Sequence, residues 1–123
     1  MLKELHPVLP AADLSRARTF YHDALNLEPD EVHEGMLVYS GPGSGFEIYE
    51  TENAGTARNT QMSFITDDLD GEMARLRACG IVFEDFDVPG MKTVNGVAAT
   101  DEMKSAWFRD TEGNFICVTE LLS

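Results

Sequence analysis

Two segments of the chain carry apolar residues at helical spacing, and each segment follows an aspartate. These stripes consist of Leu14, Ala17, Phe20, Tyr21, Ala24 and Leu25 in the first segment, and of Leu69, Met73, Leu76 and Cys79 in the second. Asp13 and Asp68 are suitable N-cap residues, and Asn26 and Gly80 tolerate the left-handed backbone that often ends a helix. The pattern therefore predicts two amphipathic helices, each with one buried side.

The segments around these helices are typical of short β-strands separated by turn residues. The predicted strands are 5–9, 31–33, 36–40 and 46–50 in the first half, and 61–66, 83–86, 96–100, 104–109 and 115–121 in the second. Residues 51–60 are small and polar without periodicity, which indicates a connection. The predicted order is βαβββ in each half, with one strand candidate beyond this order in the second.

Residue spacing indicates that the second half repeats the first. His6 and Gln61 are 55 positions apart, as are Asp13 and Asp68, whereas Glu47 and Cys117 are 70 apart. The second half therefore carries an insertion of 15 residues, which we place at 87–103 as a candidate lid or an idle loop. At 123 residues the chain is expected to form one domain, 1–123. We predict module one at about 1–50, a linker at 51–60 and module two at about 61–123.

Alternation along the predicted strands separates two faces of the sheet. One face is apolar and suited to covering helices: Leu5, Leu9, Phe46, Ile48, Met62, Phe64, Ile116 and Val118. The other face mixes ionisable, polar and aromatic groups, which favours a ligand site over a plain solvent face. Its candidate ligand-binding residues are His6, Glu47, Tyr49, Gln61, Ser63, Phe115 and Cys117, with Trp107 nearby.

Charge and composition exclude several classes of partner. The chain has 9 Lys and Arg against 22 Asp and Glu, a net charge of −13. Such a surface repels nucleic acid and anionic membranes. No apolar run approaches the length of a membrane span, and the first residues lack the apolar core of a signal peptide. We therefore expect a cytoplasmic protein, and two cysteines suit a reducing compartment.

Two stretches resemble the vicinal oxygen chelate superfamily, which groups glyoxalases, bleomycin and fosfomycin resistance proteins and extradiol dioxygenases. The segment from His6-Pro-Val-Leu-Pro-Ala-Ala-Asp13 through Phe20-Tyr21 is similar to the first strand and helix of that family. Phe108-Arg-Asp-Thr-Glu-Gly-Asn114 is similar to its turn before the last strand. The resemblance implies an α+β fold in which two βαβββ modules form a curved mixed sheet around a cleft, and it implies a homodimer.

In catalytic members of the family, a divalent metal is bound by side chains of the first and last strand of each module. The matching residues here are His6, Glu47, Gln61 and Cys117. The first three are candidate ligands for Zn²⁺, Ni²⁺ or Fe²⁺. Cys117 replaces the expected glutamate, which is both a ligand and, in glyoxalases, a proton shuttle.

Other interpretations of single residues stay open. Cys117 could fill the cleft floor as a small buried side chain, supply a thiolate to zinc, or pair with His6 as a nucleophile. Glu50 and Glu120 point to the opposite face and fit solvated strand ends, and His22 and His33 fit surface positions.

Three functions follow from these observations. We favour a glyoxalase- or bleomycin-resistance-like protein that binds a small organic molecule without a complete catalytic metal site. The alternative is a metal-dependent lyase, isomerase or dioxygenase using His6, Glu47 and Gln61. A third possibility is a partner-binding module, whose cleft would be filled by its own side chains.

Overall fold

The computed structural model describes residues 1–122 and divides into two compact units. The first unit comprises residues 1–57 and the segment Asp110–Asn114, and the second comprises residues 58–109 and the residues from 115 onward. Each unit has the order βαβββ, with one additional hairpin in the second, so the predicted α+β class is confirmed. Ser123, the last residue of predicted module two, lies outside the described residues.

The first unit contains one helix and a four-stranded mixed sheet. Its elements are β1 (Val8–Ala11), α1 (Leu14–Leu25), β2 (Glu31–His33), β3 (Met36–Tyr39) and β4 (Phe46–Glu50). The strand order is β1-β4-β3-β2, with β1 parallel to β4. The Asp13 side chain accepts a hydrogen bond from the Arg16 backbone N–H at 3.0 Å, and Asn26 ends the helix with a φ of 56°. Both predicted helix ends are therefore found.

The second unit repeats this arrangement. Its elements are β5 (Thr60–Thr66), α2 (Leu69–Ala78), β6 (Asp87–Val88), β7 (Met91–Lys92), β8 (Val97–Ala99), β9 (Met103–Arg109) and β10 (Phe115–Leu121). The sheet order is β5-β10-β9-β8, and β6 and β7 form a separate hairpin. That hairpin falls within the predicted insertion at 87–103.

Several details differ from the predicted pattern. The first strand begins at Val8, not at Leu5, and continues through Pro10, which is tolerated because β1 is the terminal strand of its sheet. Leu5 is 79% exposed and so does not belong to the apolar face. Cys79 is the exposed C-cap of α2. Residues 83–86 form no strand, although the Glu84 backbone N–H donates to the Trp107 carbonyl at 2.8 Å.

Buried polar groups hold the turn Asp110–Asn114 within the first unit. The Tyr21 hydroxyl donates to the Asp110 carboxylate at 2.7 Å, and burial together with that carboxylate raises the pKa of Tyr21 well above its usual value. The Asp110 carboxylate also accepts from the backbone N–H groups of Glu112 and Asn114, each at 2.9 Å. The Asn114 amide donates to the Pro10 carbonyl at 2.9 Å. These bonds satisfy groups that would otherwise be buried without partners.

Among residues 1–122, no helix has the length and apolar character needed to cross a bilayer.

Candidate functional site

One face of the first unit's sheet is free of helix. Strand register places Val8, Glu47, Val38 and Glu31 side by side across all four strands. The alternate residues, such as Leu9 and Ile48, are 1% exposed and form the core. Since side chains alternate, the row that contains Glu47 lies on the opposite, open face. Tyr49, two residues after Glu47 on β4, lies on the same face and is 39% exposed.

His6 precedes β1 and lies between two carboxylates of the first unit. Its Nδ1 is 3.4 Å from Glu47 Oε2, and its Nε2 is 2.7 Å from Glu4 Oε2. Nδ1 is buried and makes no hydrogen bond of good geometry, so its contact with Glu47 is a close approach only. The structure thus brings together the predicted pair of His6 and Glu47, and it adds Glu4.

An open depression of about 680 Å³ begins at His6. Its polar lining comes from the first residues of the chain, from β2 and from the β3–β4 connection. The lining residues are Lys3, Glu4, Leu5, His6, Glu31, Val38, Tyr39, Ser40, Gly43 and Ser44. Volumes of about 300–1,000 Å³ are usual for small-molecule sites.

In the second unit, the Gln61 side chain hydrogen-bonds the backbone of the neighbouring strand. The pairing of β5 with β10 shifts by one residue between Phe115 and Ile116. The Gln61 side-chain oxygen accepts a hydrogen bond from the Phe115 backbone N–H at 3.1 Å, next to this irregularity. A bulge leaves backbone groups without ladder partners, and this side chain supplies one.

Cys117 is registered opposite Ser63 and Trp107 and belongs to the open face of the second sheet. It is 5% exposed, and its Sγ lies 3.3 Å from the Thr119 hydroxyl. The Thr119 hydroxyl in turn lies 2.7 Å from the Ser105 hydroxyl. The position expected to carry a glutamate therefore carries a thiol in a neutral chain of buried hydroxyls.

Two aromatic candidates differ in how accessible they are. Phe115 is 6% exposed, and the Arg109 guanidinium lies over its ring at 4.4 Å from the centroid. Trp107 is partly exposed, and its indole N–H donates to the Thr60 hydroxyl at 2.9 Å. The Phe86 ring lies against it at 5.6 Å between centroids. Trp107 is thus a better contact for a ligand than Phe115.

Glu4 and Phe86 were missed by the sequence analysis. Glu4 is two residues before His6, and that spacing in an extended segment was the only available signal. Phe86 was assigned to a strand of its own, so its contact with Trp107 was not expected.

As arranged, these side chains do not form a divalent metal site. Across residues 1–122, no three His, Cys, Asp or Glu side chains converge closely enough to hold an ion. The two nitrogens of His6 face different carboxylates, and the Gln61 oxygen is bound to backbone. The ligand role of His6, Glu47 and Gln61 stays a prediction.

Comparison with known proteins identifies the family. The model of the Glyoxalase/Bleomycin resistance protein/Dioxygenase superfamily matches residues 4–118, and the chain belongs to this superfamily. No curated protein sequence matches the chain.

Solved structures with the same fold cover nearly the whole chain. A protein from the mobile metagenome of V. Pseudocholerae is 25% identical, with a TM-score of 0.67, over 98% of this chain and 95% of that one. The fosfomycin resistance protein FosX from Listeria monocytogenes, complexed with Mn(II) and sulfate, is 18% identical, with a TM-score of 0.71, over 96% and 90%. A glyoxalase/bleomycin resistance protein from Catenulispora acidiphila is 22% identical, with a TM-score of 0.65, over 95% and 96%.

Proposed function

We propose that this protein binds a small organic molecule on its open sheet faces and does so without a bound metal. The observation that carries the proposal is the depression of about 680 Å³ at His6 in the first unit. It combines a suitable volume with several polar groups, as small-molecule sites do. The candidate ligand-binding residues remain His6, Glu47 and Tyr49 in the first unit, and Gln61, Ser63, Trp107, Phe115 and Cys117 in the second.

His6 supplies the polar contact of this depression. The carboxylates of Glu4 and Glu47 approach its two ring nitrogens and so limit the orientation of the imidazole. A held imidazole can donate to or accept from a polar group of the ligand, depending on its tautomer. Tyr49 adds a half-exposed aromatic surface on the same open face.

A second candidate function is a metal-dependent lyase, isomerase or dioxygenase. The close approach of His6 Nδ1 to Glu47, at 3.4 Å, favours it. So does the Mn(II) bound by the structurally similar FosX. His6 Nδ1 makes no hydrogen bond, so Zn²⁺, Ni²⁺ or Fe²⁺ could bind this atom while Nε2 keeps its contact with Glu4. For Gln61 to act as a ligand, its oxygen would have to release the Phe115 backbone N–H.

Thermal unfolding with added compounds separates these functions. Wild-type protein is screened with Zn²⁺, Ni²⁺, Fe²⁺ and Mn²⁺, and separately with a library of small organic molecules in the presence of a chelator. We expect compounds to raise Tm in chelator, because a ligand that binds the native state stabilises it. We expect the His6→Ala variant to weaken that effect, and His22→Ala, a change at an exposed residue of α1, to leave it intact.

The metal alternative predicts the opposite result. Stoichiometric metal binding by calorimetry that is lost in His6→Ala, with no organic ligand bound in chelator, would establish it over our proposal.

We further propose a homodimer located in the cytoplasm. The family resemblance supports the dimer, and the net charge of −13 supports a protein without nucleic-acid or anionic membrane partners. Sedimentation equilibrium measures the oligomeric state directly.

A further inference from the structure

The inserted segment of the second unit is closed at its base by side-chain hydrogen bonds. Asp85 Oδ1 accepts from the Thr93 hydroxyl at 2.7 Å and from the Gly96 backbone N–H at 2.9 Å. The same hydroxyl accepts from the Phe86 backbone N–H at 2.7 Å, and the Thr93 N–H donates to the Phe86 carbonyl at 2.8 Å. We call these four residues the Asp85–Thr93 clasp. Within the clasp Thr93 is only 7% exposed, whereas Asp85 is exposed.

The clasp fixes Phe86 against Trp107. The two rings meet edge to face, with centroids 5.6 Å apart and an interplanar angle of 86°. Trp107 is held independently by its hydrogen bond to Thr60 and by its carbonyl, which accepts from the Glu84 N–H. Both rings are therefore oriented before any ligand arrives, which lowers the entropy lost on binding.

Two rows of the sheet face that carries Trp107 contain no charged residue. Strand register places Ser63 and Cys117 in the row of Trp107. The next row contains Ile65, Thr119, Ser105 and Ala98. In these rows Cys117, Thr119 and Ser105 are only 5–7% exposed, so the accessible part consists mainly of Ser63, Ile65 and Trp107. Ile65 is 63% exposed and extends the apolar surface.

The nearest cation, Arg109, lies on the same face in the row on the other side of Trp107, and it has its own partners. Arg109 Nε donates to Glu84 at 2.9 Å, and its guanidinium covers the Phe115 ring. In a chain with a net charge of −13, two uncharged rows whose nearest cation is paired with Glu84 disfavour anionic ligands.

We propose that Phe86 and Trp107 form a subsite for an uncharged planar aromatic group, and that the Asp85–Thr93 clasp holds Phe86 in place within it. Thr93 acts as a positioning residue, because its hydroxyl bonds the Phe86 backbone. This inference rests on the proposed small-molecule binding and names the class of ligand. Aromatic rings prefer edge-to-face or offset contacts at about 4.5–7 Å between centroids, and the exposed part of Trp107 offers such a contact.

Two fluorescent probes with the same ring system test the inference. N-phenyl-1-naphthylamine is uncharged, and 1-anilinonaphthalene-8-sulfonate differs from it by one sulfonate. Trp107 is the only tryptophan, so energy transfer from it to a bound probe reports proximity to this residue. We expect the neutral probe to bind with quenching of Trp107 and to bind at least about tenfold more tightly than the sulfonate, because the sulfonate would lose hydration while the nearest cation, Arg109, is already paired with Glu84.

Variants then locate the bound probe. Phe86→Leu keeps an apolar side chain but removes the ring, and we expect it to weaken binding by about three- to tenfold. Thr93→Val keeps the shape but removes the hydroxyl, and we expect a smaller loss in the same direction. Val88→Thr, at a half-exposed position of the hairpin outside the clasp, is the matched control and should leave binding unchanged. Far-UV circular dichroism checks the fold of each variant.

The possible failures are distinguishable. If the sulfonate binds as tightly as the neutral probe, or if Phe86→Leu and Val88→Thr bind alike, the aromatic subsite is wrong and the proposed function stands. If library compounds raise Tm through His6 but the neutral probe neither binds nor quenches Trp107, the inference also fails alone. If no organic compound binds at all, both fail.

Discussion

Glu112 is expected to contribute more to stability than any other single carboxylate of the first unit, and its replacement by glutamine tests this. Its side chain is fully buried. Its two oxygens accept from the backbone N–H groups of Ala12 and Asp13 at 2.9 and 3.0 Å, just before α1. They also accept from Arg16 at 2.8 and 3.0 Å and from Thr111 at 2.9 Å. A carboxylate at a helix N-terminus is favoured further by the helix dipole.

These bonds determine the ionisation of Glu112. Burial alone would raise its pKa, but the hydrogen bonds from Arg16, from the Asp13 N–H and from Thr111 outweigh burial and lower the pKa to about 2. An ordinary glutamate has a pKa near 4.3, so the difference of about two units corresponds to about 3 kcal/mol. Because the folded-state pKa is the lower one, this stability is fully present above about pH 5 and is lost as the pH falls toward 2.

The Glu112→Gln variant removes the charge and places an amide N–H₂ against donors. We expect it to lower the free energy of unfolding at pH 7 by about 2–4 kcal/mol, since hydrogen bonds to a charged group are the stronger ones and unpaired buried donors are unfavourable. Urea denaturation followed by circular dichroism measures the difference. Glu52→Gln, at an exposed residue, is the control and should change stability by less than about 0.5 kcal/mol.

The pH dependence provides the stricter test. The stability difference between wild type and Glu112→Gln should shrink between pH 5 and pH 2, because wild type loses the charge that the variant lacks. A difference at pH 7 below about 0.5 kcal/mol, or one that does not change with acid, would refute the reasoning.

Three further outcomes are expected. Gly113→Ala should lower the free energy of unfolding by more than about 1 kcal/mol in urea, because Gly113 has a φ of 85° and a Cβ there would lie 2.9 Å from the backbone of a facing glycine. A chromogenic disulfide reagent should react quickly with one cysteine of the native protein, the exposed Cys79, and with the buried Cys117 only on unfolding. Two equivalents of the coloured product released quickly would contradict the burial of Cys117. Gln61→Ala should destabilise the protein by about 1 kcal/mol in urea through the lost Phe115 hydrogen bond, while a Gln61 ligand role would instead show as lost metal binding.

The fold could be predicted because it depends on local signals. The helix ends at Asp13, Asn26 and Asp68 follow from the conformations these residues favour, and all three were found as predicted. Strand alternation also identified the core, since Leu9 and Ile48 are buried. The error at the first strand has a local cause as well, because periodicity cannot show where a strand finds its hydrogen-bonding partner.

Long-range partners of polar side chains were not predictable in this way. Glu120 was expected to be a solvated strand end, yet its carboxylate accepts the Leu69 N–H at 2.9 Å at the start of α2. Glu112 binds the start of α1 in the same manner. Each carboxylate is separated from its helix by many residues, and nothing in the local pattern distinguishes it from an exposed glutamate.

The partners of the candidate site residues were equally hard to predict, and the two halves of the chain show this for equivalent positions. His6 and Glu47 in the first unit correspond by spacing to Gln61 and Cys117 in the second. The first pair keeps two ionisable groups 3.4 Å apart, whereas in the second pair the amide bonds backbone and the thiol joins a neutral hydroxyl chain. Equivalent positions in a duplicated fold have the same place in the strand register, but their side chains can have different partners. One bulge or one added neighbour is enough to change which groups a side chain contacts.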